Sequence, residues 1–164
     1  MEVRSVEAVV RALNDAKVRY LIVGGVAVNA HGYERMTIDL DLVIQLNRPN
    51  IEAAWSALVG IGYIVKIPVS VAEFANVTLR EVWQREKGML VLQFWSDIHR
   101  RTPIDIFVRE PFNFEKEYSD ALSYELPSGQ ATKVVSRQTL LKMKREAGRG
   151  QDLIDVEKLE KLYS

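Results

Sequence analysis

The 164-residue sequence contains no cysteine, which excludes disulfide bonds and thiolate chemistry. Its two histidines, His31 and His99, lack a second histidine at the spacing of a zinc site. No serine lies in a nucleophile-elbow motif, and neither Gly-x-Gly-x-x-Gly nor Gly-Lys-Ser/Thr occurs. The sequence therefore gives no support to a zinc enzyme, a serine hydrolase, a dinucleotide-binding protein or a P-loop NTPase.

Net charge and long apolar runs are also missing. The 22 basic and 22 acidic residues cancel, so nucleic acid would be attracted only by a local patch. No apolar run approaches the length of a membrane span, and the first residues show no signal-peptide pattern. We therefore expect a soluble, cytoplasmic protein without a membrane partner. The length predicts a single domain over 1–164, with a sheet-containing core over 1–135 and C-terminal helices over 136–164.

Hydrophobic periodicity predicts helices mixed with strands that do not strictly alternate, which is typical of an α/β or α+β domain with a mixed sheet. The aromatic residues Trp83, Phe94 and Trp95 are expected in the core. The predicted helices cover 3–16, 25–32, 50–60, two short stretches within 71–87, 113–119, 136–147 and 151–163. The predicted strands cover 19–23, 38–45, 63–67, 89–95, 103–109, 123–126 and 131–135.

A glycine pair, Gly24 and Gly25, separates the apolar run 21–23 from the predicted helix that follows. Glycine lets the backbone turn sharply and approach a ligand closely, because no Cβ stands in the way. The free N–H groups at the start of a helix favour anions such as phosphate. The pair alone is weak support for a phosphate site, since many such turns use glycine for backbone reasons only.

Three aspartates lie in predicted strands. Asp39 and Asp41 are two positions apart, so both side chains are expected on one face of their strand. Asp105 lies in a second apolar strand, where a buried acid is costly unless it is paired or binds metal. If the two strands are neighbours, the three carboxylates form a cluster that suits Mg²⁺. The alternative is that each acid lies at a strand end in solvent.

Basic residues near these acids are candidates for contacts with phosphate. Arg35 and Thr37 directly precede the carboxylate strand, although Arg35 could equally be an ordinary surface residue. Lys144 lies on the apolar stripe of the predicted helix 136–147, so it either extends to water or points into a phosphate site. Asp152 and Asp155 open the last helix, where acids favour the helix dipole without any function.

Together these residues resemble the nucleotidyltransferase superfamily that includes DNA polymerase beta. The resemblance rests on Gly24-Gly25, Asp39, Asp41 and Asp105. The chain looks most like small prokaryotic proteins related to abortive-infection nucleotidyltransferase toxins. That likeness extends to a terminal segment, which contains Lys144, Arg149, Asp152 and Asp155.

The resemblance implies a mixed β-sheet flanked by helices and transfer of an NMP from an NTP to a hydroxyl or phosphate acceptor, such as RNA or protein. Asp39, Asp41 and Asp105 would be catalytic and hold Mg²⁺, with two ions expected. The residues expected to bind nucleotide are Gly24, Gly25, Arg35, Thr37, Lys144 and Arg149, while Asp152 matches the motif without an assigned role. The toxin-type likeness also implies an antitoxin protein as a partner.

Two other functions remain open at this point. The chain could be a catalytically silent nucleotide-binding regulator, or an interaction module in which the carboxylates are only structural. Because all three acids are present, the sequence favours the enzyme.

Overall fold

The computed structural model describes residues 1–164 and contains one seven-stranded sheet and eight helices. The strands are β1 (Tyr20–Val23), β2 (Leu40–Ile44), β3 (Ile64–Val65), β4 (Val91–Trp95), β5 (Ile104–Phe107), β6 (Leu122–Glu125) and β7 (Ala131–Val134). The helices are α1 (Val3–Asp15), α2 (Gly24–Ala30), α3 (Arg48–Gly60), α4 (Val71–Ala75), α5 (Val77–Lys87), α6 (Phe114–Asp120), α7 (Arg137–Ala147) and α8 (Gly150–Leu162).

The strands lie in the order β3-β4-β5-β2-β1-β7-β6. The pairs β2–β5 and β1–β7 are parallel, and the other four pairs are antiparallel. The sheet is therefore mixed and flanked by helices, which confirms the predicted fold class. The arrangement also confirms that the strands carrying Asp41 and Asp105 are direct neighbours.

Capping residues set several helix boundaries, including the predicted ends at Gly88 and Gly148. Asn76 ends α4 and caps α5, since its side chain accepts a hydrogen bond from the backbone N–H of Leu79 at 3.1 Å. Gly88 ends α5 in the left-handed conformation, with φ of 59°. Gly148 ends α7 in the same way, with φ of 62°, so the chain turns before α8 begins at Gly150.

One hydrophobic core of 35 buried residues joins the sheet to its helices. It includes Leu21 and Ile22 of β1, and it extends to Leu140 of α7 and Leu159 of α8. The C-terminal helices are therefore packed on the same core as the sheet. None of the helices is both long and apolar enough to cross a membrane.

The structure corrects one prediction about the core. Phe94 and Trp83 are buried, but Trp95 is 39% exposed at the end of β4. Side chains alternate along a strand, so Leu92 and Phe94 point to the core while Trp95 points to the other face. The apolar run that contains Trp95 did not reveal which of its positions face outward.

Candidate active site

Asp41 and Asp105 lie side by side on the central strands of the sheet. The parallel pairing of β2 and β5 sets Asp41 directly opposite Asp105. Their neighbours Leu40, Leu42 and Ile106 are buried on the other face, toward the core. Two acids therefore share the face of the sheet that is not filled by these apolar side chains.

Asp39 lies just before β2 and is half-buried. Its negative charge raises the pKa of both Asp41 and Asp105, so it lies within electrostatic range of both. No group of three or more acidic or histidine side chains is arranged to hold a metal ion by itself. The three-carboxylate metal site therefore stays a prediction, and the structure places Asp41 and Asp105 opposite each other on neighbouring strands.

The environment makes the charged form of these acids unfavourable. Burial, together with the charges of Asp105 and Asp39, raises the pKa of Asp41 to about 7. Burial also raises the pKa of Asp105, although a hydrogen bond from Gln93 opposes the change. Carboxylates in this state are favourable ligands for a cation, because a bound positive charge removes both penalties.

The glycine turn stands against the Asp41 carboxylate. Gly24 has φ of 66°, and a Cβ at this position would overlap Asp41 Oδ2. A Cβ on Gly25 would overlap Thr37 Oγ1 and would lie 3.3 Å from Arg35 Nη2. Both glycines therefore permit a close approach, of Asp41 in one case and of the Thr37–Arg35 segment in the other.

Lys144 and Arg149 lie near the acids but are already paired with other groups. Lys144 is 6% exposed, and its ammonium donates to Asp152 Oδ1 at 2.9 Å and lies 3.0 Å from Asp155 Oδ2. Arg149 Nε donates to Asp152 Oδ2 at 2.7 Å. Both cations lower the pKa of Asp41 through their charge, so this network borders the site.

Arg35 joins the glycine turn to the last helix. Its Nε and Nη2 donate to the two carboxylate oxygens of Asp155 at 2.7 and 2.8 Å, which forms a bidentate ion pair. Burial alone would raise the pKa of Asp155, but the bonds from Arg35, Gln151 and Lys144 outweigh it and lower the pKa. The pKa of Asp152 is lowered in the same way, by Arg149 and Lys144 against burial.

The structure shows contacts of Asp152 and Asp155 that the sequence did not predict. Both are buried and ion-paired, in addition to lying near the start of α8, where acids favour the helix dipole. Their positions three residues apart on one helix face were the available signal. Gln93 was also missed, because its bond to Asp105 depends on the register of β4 against β5.

Comparison with known proteins supports the fold. No protein-family model matches the sequence, and no curated protein matches it. The lincosamide antibiotic adenylyltransferase LnuA, solved with lincomycin, is similar at a TM-score of 0.62 and 13% identity, over 96% of this chain and 95% of that one.

Two further solved structures have the same architecture. ANT(2")-Ia, solved with adenylyl-2"-tobramycin, matches at a TM-score of 0.59 and 13% identity, over 96% of this chain and 86% of that one. A nucleotidyltransferase-like protein from Paracoccidioides brasiliensis matches at a TM-score of 0.57 and 18% identity, over 98% of this chain and 76% of that one. The chain therefore has the fold of the nucleotidyltransferase superfamily.

Proposed function

We propose that this protein is a metal-dependent nucleotidyltransferase that moves an NMP from an NTP to a hydroxyl or phosphate acceptor. The observation that carries the proposal is the Asp41–Asp105 pair, which lies against the Gly24 turn in a nucleotidyltransferase fold. The turn and the acids bring phosphate-binding backbone and metal-binding oxygens to one place.

The residues present fit Mg²⁺. Asp41 and Asp105 would hold it, with Asp39 as a further ligand, and two ions are proposed. Mg²⁺ is commonly bound by one or two carboxylates together with substrate phosphates, so a ready-made three-ligand cluster is not required. Bound Mg²⁺ would neutralise charge on the phosphate oxygens and on the leaving pyrophosphate.

The chain's own residues have distinct roles in the proposed reaction. Asp105 accepts the proton of the acceptor hydroxyl, whose oxygen forms a new bond to the α-phosphorus. The bond between that phosphorus and the oxygen bridging to the β-phosphate breaks, and its electron pair leaves with pyrophosphate. Gly24 and Gly25 let the triphosphate approach the backbone.

The cations around the turn would bind the triphosphate. Arg35 and Arg149 each keep guanidinium N–H groups beyond those that bond Asp155 and Asp152. Lys144 would act through its charge, since its ammonium is held by two carboxylates. Thr37 would add a hydroxyl beside Gly25.

The acceptor is proposed from likeness to other proteins. Resemblance to toxin-type nucleotidyltransferases favours RNA or protein, with an antitoxin as the regulatory partner in the cytoplasm. The structures of LnuA and ANT(2")-Ia contain lincomycin and adenylylated tobramycin, so small hydroxylated antibiotics belong among the acceptors to test.

The test incubates the protein with Mg²⁺ and each α-labelled NTP, against total RNA, total protein, lincomycin and tobramycin. We expect label transfer that disappears with EDTA and in Asp41→Asn and Asp105→Asn. Asp97→Asn is the matched control, because Asp97 is exposed and follows β4, which β5 separates from β2.

Two outcomes would contradict the proposal. Tight NTP binding without transfer to any acceptor would indicate a silent regulator. Failure of Mg²⁺ to change either NTP binding or the melting temperature would indicate structural carboxylates.

A further inference from the structure

A line of side chains extends from Asp105 toward the β3 edge of the sheet. Gln93 on β4 is the cross-strand partner of Asp105, and its Nε2 donates to Asp105 Oδ1 at 2.9 Å. Lys66, just after β3, donates from Nζ to Gln93 Oε1 at 3.0 Å. Neither Gln93 nor Lys66 belongs to the residues that the sequence assigns to the site.

The contact with Lys66 fixes which end of the Gln93 amide faces Asp105. An ammonium group only donates, so it selects the amide oxygen and leaves the NH₂ group for the carboxylate. With the amide reversed, Gln93 would present its oxygen to Asp105, and two acceptors would face each other. Lys66 and Asp105 therefore favour the same orientation of the Gln93 amide.

The bond from Gln93 engages one oxygen of Asp105 only. Oδ1 accepts the amide hydrogen, which restrains rotation of the carboxylate and leaves Oδ2 for a further partner. Partners of this kind commonly orient the carboxylates that bind metal or substrate.

We infer that Gln93, which accepts a hydrogen bond from Lys66, is a positioning residue that fixes the orientation of the Asp105 carboxylate in the proposed site. This inference rests on the proposed nucleotidyltransferase function. Lys66 is exposed and Gln93 is half-buried, and contacts of this kind contribute little to folding. Variants at both positions should therefore fold, so a change in activity reports on Asp105 and not on unfolding.

The kinetic test compares Gln93→Leu and Lys66→Met with Lys87→Met, the same change at an exposed lysine of α5. Gln93→Leu should lower kcat by about 10- to 100-fold, the range found when such orienting partners are removed. KM for the NTP should stay unchanged, because the triphosphate contacts lie on the other side of Asp41. Lys66→Met should cause a smaller loss of kcat, and Lys66→Arg, which keeps the donor, should restore most of it.

The double variant tests whether Lys66 acts through Gln93. Gln93→Leu combined with Lys66→Met should have the kcat of Gln93→Leu alone. Multiplied losses, or a kcat of Gln93→Leu equal to that of Lys87→Met, would overturn the inference. If Asp41→Asn keeps full activity, the proposed function itself has failed.

A second measurement does not depend on activity. In ¹⁵N-labelled protein, the Gln93 side-chain amide signals are those that vanish in Gln93→Leu. They should shift in Lys66→Met and in Asp105→Ala and remain in place in Lys87→Met. Signals that stay in place in Lys66→Met would overturn the contact on which the inference depends.

Discussion

Replacing Asp41 by asparagine should stabilise the metal-free protein while abolishing nucleotidyl transfer. Burial and the neighbouring acids raise the pKa of Asp41 from its ordinary value of 3.8 to about 7 in the folded protein. At a pH above both pKa values, Asp41 is ionised in the folded protein, and its buried site disfavours this charged form. The gap between the two pKa values corresponds to about 4 kcal/mol, an upper limit that relaxation and entering water reduce.

The sign of the pH dependence follows from the same two pKa values. Between pH 3.8 and about 7 the folded protein holds a proton on Asp41 that the unfolded chain has released. The contribution of Asp41 therefore raises the free energy of unfolding as the pH falls through this window and lowers it as the pH rises. Asparagine does not titrate, so its advantage over aspartate should be largest near pH 8. Near pH 5 the stability advantage of asparagine should be smaller than near pH 8 by about 2 to 3 kcal/mol.

Urea denaturation in EDTA measures both effects, with Asp97→Asn as the exposed control. We expect Asp41→Asn to unfold at higher urea than wild type near pH 8, with an unchanged slope. Added Mg²⁺ should raise the stability of wild type and leave Asp41→Asn unaffected. The reasoning would be refuted if Asp41→Asn were no more stable than wild type near pH 8. It would also be refuted if the stability advantage of Asp41→Asn were the same near pH 5 and pH 8.

Two further variants test the support around the site. Asp155→Asn removes the partner of Arg35 and one of the two partners of Lys144, so it should destabilise the protein by about 3 kcal/mol in urea denaturation. The control Glu157→Gln removes only an exposed ion pair and should change stability little. If Glu157→Gln destabilised the protein as much as Asp155→Asn, the buried network would be disproved. Gly24→Ala should cost about 1 to 2 kcal/mol of backbone strain and weaken NTP binding in calorimetry, because its Cβ displaces Asp41. Gly60→Ala meets no atom within 4 Å, and equal effects of the two alanines would argue against the turn.

Local pattern was sufficient for most elements of this fold. The end of α5 at Gly88 and the break at Gly148 lie where the sequence predicts them, because glycine in a left-handed conformation is a local signal. The side of the sheet on which Asp41 lies also follows from alternation along one strand. What alternation did not identify was the outward position of Trp95 within an apolar run.

Local sequence pattern could not predict contacts between segments that are distant in the sequence. Arg35 and Asp155 are 120 residues apart, and only the packing of α8 beside the glycine turn brings them together. The bond between Gln93 and Asp105 depends on strand register, where a shift of one residue would move Gln93 to the other face. Sequence alone therefore proposed the acids of the site and named Asp152 and Asp155, but it did not show that these two acids bind the cations, and it missed the bond from Gln93 to Asp105.

Burial raises the pKa of Asp41, and Asp152 and Asp155 explain why two nearby cations do not cancel this effect. Asp152 and Asp155 bond directly to Lys144, while Asp152 also bonds Arg149. These cations are thereby neutralised by closer partners, and only part of their charge acts on Asp41. The fold therefore holds these cations through Asp152 and Asp155 and leaves Asp41 without a matching positive charge. Under the proposed function, bound Mg²⁺ would supply that charge.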